Sequence, residues 1–206
     1  MAGVSRKAQK LYLLVFLSRY LDIFTTYYSF YNSALKIFFL VSTAAILYGL
    51  RYVEPAKSTY SASQDRFVYW HALVPAGVVA FLVHFLGSGV SVEISDGGLE
   101  MHYSVHIDGH FDVVELLWKF SICLEPMAML PQLAIFYRNR NLNTELCVGI
   151  GCMGVYRFLY ILNWVYRAHH EPHYKHHVLV YTAGVLQVLF YSDFFYYQSR
   201  YVLLIL

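Results

Sequence analysis

SRYLDIFTTYYSFYNSALKIFFL, residues 18–40, is apolar and aromatic enough to belong in lipid, yet it carries Arg19 and Asp22 inside what reads as a membrane span. The rest of the chain repeats that tension. Of its 206 residues 58% are hydrophobic, 18% aromatic and only 14% charged, with a mean hydropathy of +0.46. A soluble domain usually carries about 25% charged residues. A chain this short has too little interior to hide so much apolar surface, so lipid must solvate most of it. Disorder, a collagen-like fibre and a typical cytosolic enzyme are excluded. A net charge of +2 without a basic run gives nucleic acid no footing.

Apolar stretches near 20 residues predict six spans, at about 11–31, 33–50, 67–87, 112–136, 145–167 and 178–206. No linker or low-complexity tract divides them, so residues 1–206 read as one all-α transmembrane domain. The segment 87–111 is too polar to cross. Its alternation around 90–94 and 103–107, with Gly97-Gly98 between, predicts a small hairpin. Arg6, Lys7, Lys10, Arg51, Lys57, Arg66, Arg138, Arg140 and Arg200 fall on one side, against Lys36 and Lys175 on the other. The excess predicts cytosolic termini, with 87–111 and 168–177 facing the lumen or exterior. Residues 1–10 are too short and polar for a secretory signal. They read as a cytosolic loop, which predicts a truncated chain. Cys123, Cys147 and Cys152 fall in apolar stretches, and no disulfide framework is expected.

Arg19, Asp22, Glu115, Lys119, Glu125, Arg157, Arg167 and Asp193 lie inside the predicted spans. Each costs roughly 2.5–3.5 kcal/mol at a helix centre, so they must face one another or water. Structural pairing alone is arithmetically available, with four of each sign. Their arrangement in stripes argues for more. Arg19, Asp22 and Thr26 share a helical face, as do Glu115, Trp118, Ile122 and Glu125, and as do Tyr156, Tyr160, Asn163 and Arg167, with Arg157 and Trp164 beside them. Three polar, aromatic-lined faces turned to a shared interior, with three arginines among them, suit a carboxylate-bearing ligand.

Other readings are weaker. His102, His106 and His110 could ligate a metal from one helical face, but their segment reads as extended. The histidines of the non-cytosolic side read instead as solvated groups that gain charge in an acidic compartment. Met127, Met129 and Met153 read as packing. Without a nucleophile–base pair or phosphate loop, no enzyme chemistry and no cofactor are expected. A solute carrier of the PQ-loop or SWEET-like kind is the alternative, although neutral polar residues would suit its site better than three arginines.

The runs SRYLDIFTTYYSFYNSALKIFFL (18–40), ELLWKFSICLEPMAMLPQL (115–133), YRFLYILNWVYR (156–167) and AGVLQVLFYSDFFYYQ (183–198) resemble the KDEL receptors. These receptors return escaped proteins bearing a C-terminal Lys/His-Asp-Glu-Leu signal from Golgi to endoplasmic reticulum. Pro131-Gln132 resembles the PQ-loop signature, implying two three-helix bundles around a linking helix. The resemblance implies that Arg19, beside Tyr20, holds the terminal carboxylate of the signal. Arg167 would pair with an acidic signal side chain while Trp164 guides the peptide inward. Asp22, Glu115 and Trp118 would surround the first signal residue. Glu125 and Tyr156 would form a proton-sensitive lock supported by Arg157, Tyr160 and Asn163, and Asp193 would serve transport after binding.

The resemblance also implies a multi-pass protein of the endoplasmic reticulum and Golgi membranes, with retrieval-signal peptides and the COPI coat as partners. Six spans stand against the family's seven, and the lysine-bearing tail read by COPI has no counterpart. Pro126, after Glu125, predicts a kink at the lock. Binding is expected to be tighter near pH 5.5–6 than near pH 7.2. Protonation of Glu125, or charging of rim histidines such as His169 and His170, would supply the switch. Rim attraction should fade with salt and a buried lock should not.

Overall fold

The computed structural model describes residues 3–24, 29–54, 56–86, 90–95, 98–103, 112–138, 144–170 and 176–205. Helix α1 (Arg6–Arg19) starts at Ser5, whose side chain accepts from the Ala8 amide at 3.0 Å. It buries Ala8, Leu11, Val15 and Ser18 as a single stripe. At Arg19 it tightens into a 3-10 turn, Tyr20–Phe24, well short of the expected end near residue 31. The reason is the next cap: Ser29 accepts from the Asn32 amide at 3.2 Å and starts α2 (Phe30–Tyr52). After the single turn α3 (Ala56–Thr59) comes α4 (Trp70–Leu86). Its buried Ala72, Ala76 and Ala80 recur every four residues, which lets a neighbouring backbone approach closely.

Asp112 caps α5 (Val113–Ala128) by accepting from the Val114 amide at 2.8 Å. Pro126 is accommodated inside this helix. The break comes later, at Met129, before α6 (Leu130–Arg138). Pro131 cannot donate to the preceding turn, and the Gln132 and Leu133 amides both turn to the Met129 carbonyl, at 2.9 and 3.1 Å. The pair α7 (Thr144–His170) and α8 (Val178–Ile205) completes the bundle.

One core unites Leu11 and Val15 of α1 with Ala72 and Ala76 of α4 and Leu124 and Ala128 of α5. A second gathers Met129, Leu133 and Phe136 with Ile150, Tyr191 and Phe194. Outside these, large apolar side chains stay exposed, including Ile37, Phe38, Val41, Phe158, Leu162 and Leu189. An exposed apolar surface of that extent is a lipid-facing one. Phe30–Tyr52, Leu146–His170 and Val178–Tyr196 are long and apolar enough to cross a bilayer, and Trp70–Phe85 is a shorter apolar helix. The protein is a multi-span helical membrane protein.

The two ends of the bundle differ. At one, Asp65, 2% exposed, accepts from Ser5 Oγ (3.0 Å), the Lys7 amide (3.1 Å) and Tyr60 Oη (3.1 Å). Gln132 of the Pro131-Gln132 pair accepts from the Ser5 amide and donates to the Gly3 carbonyl, both at 2.8 Å. Burial and then the Asp65 carboxylate push the Tyr60 hydroxyl up to about 12, so it stays a donor. This knot ties the start of α1 to the 53–69 loop and to the α5–α6 break. At the other end, β1 (Val90–Ser95) pairs antiparallel with β2 (Gly98–Tyr103), and Ser91 and Val92 pair with β3 (His176–His177). The expected hairpin is present with its second strand earlier than 103–107. Asp96-Gly97 is itself a two-residue hairpin signal, and the register closes Ser95 onto Gly98. Thr26, Arg140, His106, His110 and His173 lie outside the described residues.

Candidate functional site: two guanidiniums on one carboxylate

Arg19 ends α1, and its guanidinium turns to α5. Its Nη1 lies 2.8 Å from Glu125 Oε2. Its Nε and Nη2 donate to Ser121 Oγ and the Ser121 carbonyl, each at 3.2 Å. Ser121 Oγ in turn donates to the Trp118 carbonyl at 2.6 Å. From α7, Arg157 donates to the other oxygen of the same carboxylate, Glu125 Oε1. The side chains of Arg19, Glu125 and Arg157 are 22%, 16% and 13% exposed, mostly buried but not sealed from water. Two cations share one anion, so the trio carries one unbalanced positive charge in a site of reduced dielectric.

Tyr20, Tyr156 and Tyr160 lie within electrostatic reach of Arg19. Along α7, Tyr156, Tyr160 and Trp164 form a ladder of rings with centroids 5.5 and 5.3 Å apart. It runs from the level of the trio toward Arg167 in the last turn. Tyr156 and Tyr160 are exposed, at 58% and 40%, as is Asn163. Trp164 is buried, wedged against Gly184 and 5.3 Å from the Tyr181 ring of α8.

Several expected partnerships differ. Glu125 is held by Arg19 and Arg157, not by Tyr156: turning α7 to bury Trp164 against α8 brings the long Arg157 side chain, one residue round from Tyr156, across to α5. Glu115 is half-exposed and pairs with Lys119 one turn on (Nζ to Oε1, 2.8 Å), while His84 Nδ1 of α4 lies 3.9 Å from its other oxygen. Asp22 pairs with Lys36 at 2.7 Å, and Lys36 also lies 5.9 Å from the Tyr20 ring. Counting Lys36 with the loop cations therefore misplaces it, since it sits inside α2 and faces the 3-10 turn. Asp193 is exposed on α8 and accepts from Tyr137 Oη of α6, away from the trio. Ser121 escaped the sequence reading. Its signal was its spacing, three residues after Trp118 and four before Glu125, on the polar stripe itself.

Surplus guanidinium charge among exposed aromatics, inside a membrane bundle, has the chemistry to receive an anionic group. The ER lumen protein retaining receptor family matches residues 1–167. Over 196 residues the chain is 39% identical to ER lumen protein-retaining receptor B of Arabidopsis thaliana, covering 95% of this chain and 80% of that protein. It is 39% identical to the Petunia hybrida ER lumen protein-retaining receptor (97% and 81% covered) and 38% identical to that of Drosophila melanogaster (95% and 79%). The chain belongs to the ER lumen protein-retaining receptor family, and so is a receptor and not an enzyme.

Proposed function

We propose that the protein captures the C-terminal Lys/His-Asp-Glu-Leu signals of escaped luminal proteins and carries them back from Golgi to endoplasmic reticulum. The observation that supports this reading is the trio: Arg19 and Arg157 share Glu125, leaving one positive charge for a carboxylate to neutralise. In this mechanism the signal's terminal carboxylate takes over the Arg19 contact now made by Glu125, which Arg157 retains. Arg19 thus binds its ligand by exchange rather than by first stripping water from a bare cation, which lowers the desolvation cost.

Other roles follow along the same groove. Tyr20 flanks the terminal carboxylate; Tyr156, Tyr160 and Asn163 line the path; Arg167 meets an acidic side chain of the signal near the mouth, with Trp164 as the wall. Asp22, Glu115 and Trp118 receive the first, basic residue, and Asp193 acts in transport after binding. Residence in endoplasmic reticulum and Golgi membranes, and recruitment of the COPI coat for the return journey, belong to the same proposal. The test compares a tetrapeptide signal as free acid and as amide. A buried charge-assisted pair is worth about 2–5 kcal/mol when one partner is removed, so the amide, or Arg19→Ala, should weaken binding at least about tenfold. Equal binding of acid and amide would exclude carboxylate recognition.

A further inference from the structure

The first turns of α1 lie beside the last turns of α2, where Arg6 donates to the Leu50 carbonyl. Between them runs a groove of about 630 Å³. Arg6, Lys10 and Leu13 line it from α1 at i, i+4 and i+7, and Leu47, Tyr48 and Arg51 line it from α2. The cations sit toward the end of the helix pair, and Leu13 and Leu47 lie about one to two turns deeper. No carboxylate lines the groove. Among the described residues neither Lys10 nor Arg51 has an ion-pair partner, and buried Arg6 Nε has no hydrogen-bond acceptor. The Arg6 guanidinium is instead covered on one face by the Tyr60 ring, at 3.7 Å.

Three unneutralised cations above an apolar floor, at the end of the bundle where the excess of loop cations gathers, have the layout of a lipid headgroup site. We infer that this groove binds an acidic phospholipid that carries a monoester phosphate in addition to its phosphodiester. The charges match: a diester contributes one negative charge and a monoester about 1.5–2 at neutral pH, against three cations. The acyl chains continue past Leu13 and Leu47 into the bilayer, and basic pockets between helices on the cytoplasmic side recognise headgroups in this way. The inference is independent of the retrieval-signal reading, since Lys10 and Arg51 take no part in that site.

The test uses the full chain in detergent with a fluorescent phosphatidylinositol monophosphate, read by anisotropy. The double variant Lys10→Gln/Arg51→Gln should bind at least about tenfold more weakly. Lys57→Gln/Arg66→Gln, which removes two cations outside the groove, should bind as the parent does. Free inositol phosphate should compete poorly, because it lacks the chains. Equal loss in both double variants would reduce the effect to surface charge and overturn the site. Equal competition by free inositol phosphate would overturn the lipid, and no binding by the parent would overturn both. Retrieval-signal binding by each variant checks its fold.

Discussion

Glu125 answers to two arginines, and its substitution separates their roles. Glu125→Gln keeps the shape but leaves two guanidiniums facing each other, so thermal stability should fall by roughly 1–3 kcal/mol. The same change frees Arg19 for a ligand, as protonation of the carboxylate would. Signal-peptide affinity at pH 7.2 should therefore rise toward the parent's value at pH 5.5–6, and the variant's affinity should change less between the two pH values than the parent's does. A variant weaker than the parent at both pH values would contradict the exchange. Lys119 makes a second case. It already neutralises Glu115 from one turn away, as the first residue of a retrieval signal would. Lys119→Met should raise discrimination between peptides with Lys and with Ala at that position severalfold, measured by competition. That these ionisable groups matter was legible from their cost inside spans. Their pairing was not, because periodicity assigns a residue to a face and says nothing of how far its side chain reaches. Tyr156 held the right stripe, and Arg157, beside it, spans the gap.

Between α7 and α8 the fit is set by glycine. A Cβ at Gly184 would meet the Trp164 ring at 2.8 Å, and one at Gly154 would meet the Phe195 ring at 2.9 Å. A Cβ at Gly149 has nothing within 4 Å. Gly184→Ala should cost about 1–3 kcal/mol and disturb Trp164 fluorescence, while Gly149→Ala should leave the detergent melting temperature unchanged or slightly higher. Equal effects would mean that the seam is looser than this geometry. The existence of the helices was readable in their apolar runs, but two of their ends were not. The first span reads as continuing to about residue 31, whereas the backbone tightens at Tyr20 and restarts from Ser29, a cap whose signal is masked by the aromatic residues around it. Pro126 advertises a kink at the Glu125 level, and α5 runs on through it to Ala128; the helix ends at Met129, where Pro131 and the doubly accepting Met129 carbonyl act together.

The bundle has a knotted end, built on Asp65 and Gln132, and a sheet end at β1–β2–β3. With Lys36 set aside, nine cations stand against Lys175 alone, which predicts a cytosolic knotted end. The chain has no Asn-x-Ser/Thr sequon, so one engineered near Gly97 should be glycosylated in microsomes, and one near Ser58 should not; the opposite pattern would invert the orientation. The knot itself was beyond sequence reading, because Ser5, Asp65 and Gln132 are far apart in the chain and ordinary in composition. The third strand was hidden for the same reason: two histidines give no alternation to read. Its pairing partners in β1 lie about 85 residues earlier. At a synthesis rate of roughly 5–20 residues per second, β1 waits about 4–17 s with one edge open. For that interval the newborn chain offers a strand to whatever passes, and the last stitch of the sheet is tied only once His176 and His177 have followed.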